Sequence, residues 1–350
     1  MKILAIETSC DETSASIVKN GTEVLSNIIA TQIDFHKKYG GIVPEIAARK
    51  HVEVINPIIQ QALDKAKCKF KDLDAVAVTN GPGLIGCLIV GISAAKALAF
   101  SLDIPLIGIN HLEGHIYANF IKVPRYQGIK GSRALKPRNL ETLMPFICLL
   151  VSGGNTMIIK VTGHGKYKVL GQTRDDAVGE CYDKVARFLG LGYPGGPIID
   201  KLAKLGNPKA INFPRSMQDE KYGFDFSFSG LKTSVINHVK KSQVTSHKFQ
   251  VNDICASFQQ AAVDILVEKT IRAAKKHKIK RIALGGGVAA NSQLRGQLQK
   301  QGQEEKIQIF IPPFEFCTDN AAMIGCAGYF NFKRKLKSDF KLRAIANLKF

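Results

Sequence analysis

The sequence predicts an α/β protein of two duplicated halves, and three observations carry that expectation. An apolar strand, a polar turn and a second apolar strand open the chain at residues 3 to 18, and the same succession recurs at residues 147 to 161. Glycine-rich turns stand where strands give way to helices, at Gly81-Pro82-Gly83 and at Gly285-Gly286-Gly287. The length of 350 residues, 45% of them hydrophobic, is ample for two domains.

Composition narrows the function classes. No apolar run reaches membrane-spanning length, and Met1-Lys2-Ile3 enters a strand with no signal peptide, so a cytoplasmic protein without membrane partners is expected. The eight cysteines are scattered, with no Cys-x-x-Cys pair, which is reduced usage and neither a disulfide framework nor a cysteine zinc site. Forty-nine basic residues face 29 acidic ones, a net charge of +20. Such a field attracts a polyanion, nucleic acid first, although a lysine-rich bias that merely coats the surface gives the same count.

In chain order, the first hairpin carries Glu7-Thr8-Ser9-Cys10-Asp11-Glu12-Thr13 at its tip. Hydroxyls and carboxylates between two buried strands suit a phosphate or its magnesium, or form an ordinary hairpin with a polar end. Residues 44 to 67 read as amphipathic helix, with Pro57 starting a new helix or kinking the first. The strand over residues 73 to 78 runs into Thr79-Asn80-Gly81-Pro82-Gly83-Leu84, and a helix of small residues follows from Gly86 to Phe100. Its exposed amides make an anion site, or the glycines simply allow close packing.

A strand over residues 105 to 109 then delivers the chain to His111-Leu112-Glu113-Gly114-His115. Two histidines four apart on a helix share one face and present both imidazoles to one point, as a borderline transition metal requires. Two surface histidines that happen to share a face would look the same. The zinc-protease signature places its glutamate directly after the first histidine, whereas Glu113 comes one place later and turns away from that face.

Residues 122 to 143 hold Lys122, Arg125, Lys130, Arg133, Lys136 and Arg138 without periodicity, a basic linker or insertion that either contacts RNA or is merely solvated. After the second hairpin, Ser152-Gly153-Gly154-Asn155 at its tip, come Asp175 to Lys184, a helix to Leu189, and the turn Tyr193-Pro194-Gly195-Gly196-Pro197 leading to Asp200. Carboxylates beside a double glycine suit ribose hydroxyls, or a charged helix start and a plain turn. Residues 224 to 233, with alternate phenylalanines, read as a strand with one apolar face. A long helix spans 252 to 278, a strand 281 to 284 meets the triple glycine and Asn291, and a last strand covers 307 to 311. Asp319 then opens a terminal helix, either as its cap or as the one late carboxylate in a site-like setting.

Two halves with a phosphate-facing hairpin each are the plan of the nucleotide-binding fold shared by actin, hexokinase and the chaperone ATPases. The expected architecture is therefore α/β, two-lobed and actin-like (ASKHA, hexokinase-type), with duplicated domains and an interlobe nucleotide and metal site. Its parts would be an N-terminal lobe over 1–121 joined by a C-terminal helix at about 318–350, a basic linker over 122–143, and a C-terminal lobe over 144–317.

The motifs, in this order from residue 3 to about residue 330, resemble the tRNA N6-adenosine threonylcarbamoyltransferase family (the TsaD type, long called O-sialoglycoprotein endopeptidases). Its carriers are Glu7 to Thr13, Asn80 to Leu84, His111 to His115, Val151 to Gly154, Asp183-Lys184, Tyr193 to Pro197, Phe226 to Lys232, Gly285 to Asn291 and Thr318-Asp319-Asn320. The resemblance implies transfer of the threonylcarbamoyl group of threonylcarbamoyl-AMP to N6 of the adenosine 3′ to the anticodon, in tRNAs that read codons starting with adenine. It implies His111, His115 and Asp319 as ligands of one divalent metal, iron(II) ahead of zinc, with Leu150, Val151, Ser152, Gly153, Gly154, Asp183, Gly196, Asp200 and Asn291 holding the adenylate. Asp11, with Glu12 beside it, would orient or deprotonate the amine. Expected partners are tRNA, a degenerate paralogue (TsaB type) and a small ATPase (TsaE type). The family histidine is replaced here by Asn155, which can bond a phosphate but can neither ligate a metal equally well nor carry a proton. The rival readings are a metalloprotease and an actin-like ATPase scaffold. Glu113 speaks against the first, and the histidine pair against the second, since such ATPases use magnesium and carboxylates.

Overall fold

The computed structural model describes residues 1–122, 143–244 and 250–350, and the basic stretch expected to link the halves lies almost wholly outside them. The chain divides into two compact units, Met1–Leu143 with Pro312–Phe350, and Met144–Ile311.

In the first unit, β1 (Lys2–Glu7), β2 (Glu12–Lys19) and β3 (Glu23–Thr31) form an antiparallel meander, and β4 (Ala75–Gly81) and β5 (Leu106–Asn110) extend it in parallel, giving the order β3-β2-β1-β4-β5. Around this sheet lie α1 (Ile33–Lys37), α2 (Pro44–Lys65), α3 (Ile85–Ser101) and α4 (His111–Tyr117), joined late in the chain by α10 (Ala321–Lys333). The core is continuous from Leu4, Ile6, Ile17, Val76 and Val78 of the sheet to Ile55, Ile59, Leu88 and Ile92 of α2 and α3. α2 runs unbroken through Pro57, so no new helix starts there, which was one of the two expectations for this proline. Its neighbours hold it from both sides of the proline, and packing overrides the lost backbone bond.

The second unit repeats the plan. Its strands are β6 (Phe146–Val151), β7 (Thr156–Gly163), β8 (Lys166–Gln172), β9 (Arg281–Gly285) and β10 (Gln308–Phe310), in the order β10-β9-β6-β7-β8. A meander comes first, and parallel strands are added on the side of its first strand, as in the other unit. The helices are α5 (Val178–Phe188), α6 (Gly195–Ala203), α7 (Ser229–Val244), α8 (Val251–Lys276) and α9 (Ser292–Glu304). The duplicated α/β architecture read from the two hairpins is thus the observed one.

The strand expected over residues 224 to 233 is not formed. Phe224, Phe226 and Phe228 are buried, as the alternation implied, but Asp175 accepts from the backbone amides of Phe228 (2.8 Å) and Ser229 (3.3 Å) and from both serine hydroxyls (2.6 Å). With those amides committed to a carboxylate no sheet ladder can use them, and the segment turns into α7.

Candidate functional site

β5 ends at Asn110, whose side-chain oxygen accepts from Leu112 N at 2.9 Å and so fixes the first turn of α4. His111 and His115 consequently stand one turn apart on one face, their ring centroids 4.7 Å apart. Gly114 between them is where α10 approaches: a Cβ there would come within 2.7 Å of Cδ1 of Ile324. Just ahead of α10, the carboxylate of Asp319 reaches the pair, its Oδ1 3.4 Å from Nε2 of His111 and 3.2 Å from Nε2 of His115. Asn320, accepting from Met323 N at 3.0 Å, is the cap of α10, so Asp319 is not.

These three donors lie within 4.8 Å of one another. Nε2 of His115 is fully buried and, for all its 3.2 Å approach to Asp319, makes no hydrogen bond among the described residues. A buried imidazole left this way is unfavourable unless something else sits between it and the carboxylate. His111 is held the other way round, its Nδ1 lying 3.0 Å from Oε2 of Glu7 and 3.1 Å from Oγ of Ser9, which leaves Nε2 to face Asp319. A carboxylate behind a ligating histidine orients the ring and raises its basicity. Two imidazole nitrogens and one carboxylate oxygen suit zinc or iron(II) and are a poor set for magnesium, so the residues fit the expected divalent ion.

The electrostatics follow from burial and these contacts. Burial pushes the Asp319 carboxyl up, but the two histidines more than offset it and hold it far below the usual carboxylate range. Burial likewise raises Glu7, and His111 brings it back below its ordinary value. Burial lowers the ring of His111, and Asp319 and Glu7 reverse this to leave it well above. Burial wins at His115, where the attraction of Asp319 is smaller and His111 adds to the fall, so that ring stays neutral, the form that binds a metal. Glu12 is pushed up to about 10 by burial and by Asp11 and Asp319 close by, and it carries a proton at neutral pH. The tip holding Asp11 and Glu12 is braced by His51 of α2, which bonds Oγ1 of Thr13 (2.7 Å) and the carbonyl of Cys10 (3.0 Å).

Glu113, the residue a protease would need, is buried elsewhere and accepts from Nδ2 of Asn331 at 3.1 Å. The C-terminal tail meets the same end of the sheet. Ile345 N donates to the Asn80 carbonyl at 2.8 Å, Gly83 N to that of Ala346 at 3.1 Å, and Asn110 Nδ2 to that of Lys349 at 3.1 Å.

In the second unit, the residues expected to hold an adenylate gather where the parallel strands β6 and β9 end, which is where open α/β sheets bind ligands. Leu150 and Val151 are buried at the end of β6, and the turn Ser152–Asn155 is closed by Ser152 N donating to the Asn155 carbonyl (2.8 Å) and Asn155 N to Ser152 Oγ (3.1 Å). Asp183 accepts from Gly195 N at 2.7 Å and fastens the start of α6 to α5. Asp200 accepts from Gln259 Nε2 (3.0 Å) and Ser292 Oγ (2.9 Å), and Asn291 donates to Gln259 Oε1 (2.8 Å) while capping α9 through Leu294 N. Gln259, missed in the sequence, is the buried hub of that network, and the amphipathic reading of α8 drew attention only to its apolar positions. Glu7 and Thr79 were also passed over as site residues. Glu7 is the polar end of an apolar strand and Thr79 follows the apolar run of β4, and a glutamate closing Lys2-Ile3-Leu4-Ala5-Ile6-Glu7 was the signal available. At Gly153, Gly154 and Gly196 a Cβ would meet nothing within 4 Å, so packing does not demand glycine there.

Comparison with known proteins agrees with this geometry. The model of the family described as tRNA N6-adenosine threonylcarbamoyltransferase matches residues 23–326. Proteins bearing that name from Clostridium kluyveri and Clostridioides difficile are 52% identical over 349 residues and 53% identical over 346, spanning 100% and 99% of this chain and 98% and 97% of theirs. Among solved structures, component A of the Acidaminococcus fermentans (R)-2-hydroxyglutaryl-CoA dehydratase aligns with a TM-score of 0.53 at 16% identity, over 95% of this chain and 98% of its own. HypF from T. kodakarensis aligns with a TM-score of 0.61 at 13% identity, over 95% of this chain and 48% of its own. At such identities these two share the fold and nothing more.

Proposed function

The chain belongs to the tRNA N6-adenosine threonylcarbamoyltransferase family, and from that premise we propose how its own residues divide the work. It is an acyltransferase that forms threonylcarbamoyladenosine in tRNA. The observation that carries the residue-level reading is the trio of His111, His115 and Asp319, with a buried His115 nitrogen that makes no hydrogen bond among the described residues.

Nε2 of each histidine and the Asp319 carboxylate hold one divalent ion, iron(II) in preference to zinc, with Glu7 behind His111 keeping that ring in the ligating tautomer. A divalent ion held by these residues would supply Lewis acidity towards the mixed anhydride of threonylcarbamoyl-AMP. The lone pair of adenosine N6 attacks the carbamoyl carbon, the bond from that carbon to the AMP oxygen breaks, and AMP leaves with the electron pair. Asp11 takes the proton that N6 sheds, and Glu12, protonated beside it, orients it by a hydrogen bond. In the second unit, Leu150 to Gly154 and Gly196 admit the adenylate close to the backbone, and Asp183, Asp200 and Asn291 shape the ribose side. The chain works in the cytoplasm with a degenerate paralogue and a small ATPase. Among the described residues no helix is long and apolar enough to cross a membrane.

The test is reconstitution: protein, partner proteins, threonine, bicarbonate, ATP and unmodified tRNA, with the product nucleoside read by mass spectrometry. Modified adenosine forms with the wild type and is lost in His111→Ala and Asp319→Ala. Full activity in both variants would overturn the metal assignment.

A further inference from the structure

The net charge of +20 is locally uncompensated in the second unit. In the β7–β8 ladder Lys160 stands directly opposite Lys168, an arrangement that like charges disfavour. The end of α8 adds to the same spot. Besides burial, it is Lys160, Lys168 and Lys276, in that order, that depress the ring of His277. His277 lies 6.3 Å from the Phe224 ring, and over that ring stand Nζ of Lys276 at 5.6 Å and the Arg272 guanidinium at 5.8 Å. Phe224 is itself buried, so it acts as a fixed platform that holds the two cations in place.

Neighbouring cations are treated differently. In the adjoining 870 Å³ cavity, Arg215 pairs with Asp264 at 2.8 Å, Arg272 with Glu268 at 3.2 Å and Lys275 with Glu305 at 2.9 Å. No such carboxylate comes within ion-pair distance of Lys160, Lys168 or Lys276 among the described residues. Three unpaired ammoniums maintained against their own repulsion are what a polyanion would neutralise on docking. Lysines serve there as point charges, without the planar fork that reads one small anion or one base.

We propose that Lys160, Lys168 and Lys276 form a docking surface for the phosphate backbone of the tRNA, a contact that takes no part in the chemistry. This rests on the reading of the chain as a tRNA-modifying enzyme. The test uses the full protein with its partner proteins and the triple variant Lys160→Gln, Lys168→Gln, Lys276→Gln. Its control, Lys65→Gln, Lys71→Gln, Lys209→Gln, removes the same net charge elsewhere. Binding of unmodified tRNA is followed against salt, and the transfer reaction is run at saturating and limiting tRNA. In the triple variant the log–log salt slope should fall by about 2–3 and KM for tRNA rise about ten-fold, with kcat unchanged. Melting temperature is retained or raised, because the Lys160–Lys168 repulsion is relieved. An unchanged slope and KM, or the same loss in the control, overturns the proposal. So does intact tRNA binding combined with loss of an acidic protein partner. If the wild type makes no modified adenosine the assigned activity fails, while the slopes still decide whether this face binds RNA.

Discussion

Oε2 of Glu7 lies 3.0 Å from Nδ1 of His111, joining the last residue of the first strand to the first residue of α4. The carboxylate is fully buried, also accepts from Thr79 Oγ1, and stays ionised because His111 offsets the effect of burial. Glu7→Gln keeps the shape and removes the charge that makes the ring a better ligand. Metal affinity should fall about 10–100-fold with the fold intact. Competition with a chelator, read by metal analysis of the recovered protein, checks this, and unaltered affinity would remove Glu7 from the site.

The ion should also stabilise the folded chain. Whatever binds only the native state adds stability by mass action, about 2.7 kcal/mol at a hundred-fold excess over Kd. Melting temperature should therefore rise with added iron(II) or zinc and fall on chelation. In Asp319→Asn, which removes the ligand charge but keeps its size, that dependence should vanish.

Two glycines should behave oppositely. Gly286 has φ +90°, and a Cβ on it would run into the Val151 carbonyl, so Gly286→Ala should cost about 3 kcal/mol or more. Gly196 sits in the first turn of α6 with open space around its Cα, so Gly196→Ala should change stability by under about 0.5 kcal/mol. If an adenylate approaches there, it should instead raise KM for the adenylate. Denaturant melts and steady-state kinetics separate the two effects, and an unchanged KM would clear Gly196 of a binding role.

Acid should weaken the second unit through Asp176. Burial pushes its carboxyl up, but Lys184 at 2.7 Å and Lys232 at 2.5 Å hold it below the ordinary value of 3.8. A folded value lower than the unfolded one means the contribution is complete above 3.8 and is lost as pH falls through the folded value. Asp176→Asn should be less stable than the wild type at neutral pH and lose less of its melting temperature on acidification. Parallel curves for the two proteins would refute this.

Much of this was legible in the chain. The duplicated hairpins announced the paired sheets because buried strands of β-branched residues ending in polar turns have few alternative folds. The histidine spacing announced a shared face, since helical periodicity is local. What was hidden depends on contacts distant in sequence. Glu7 reaches His111 only because β1 and β5 flank β4, a strand order that no window of sequence encodes. Edge strands β3 and β8 went unread because each has few fully buried residues and carries polar residues on both faces. The 224–233 segment was misread because Asp175, more than fifty residues earlier in sequence, takes its amides.

The split of the first unit sets an order of events in biogenesis. Glu7, His111 and His115 leave the ribosome early, whereas Asp319 follows only after Met144–Ile311, the second compact unit, has been made. Until then the face of β1 and β2 that receives Gly325 of α10, at Ala5 and Val18, stays bare. The nascent first half thus holds all five strands of its sheet and both histidines, but neither α10 nor Asp319. The His111–His115–Asp319 trio and the helical cover over β1 and β2 are therefore both completed in the last stretch of synthesis.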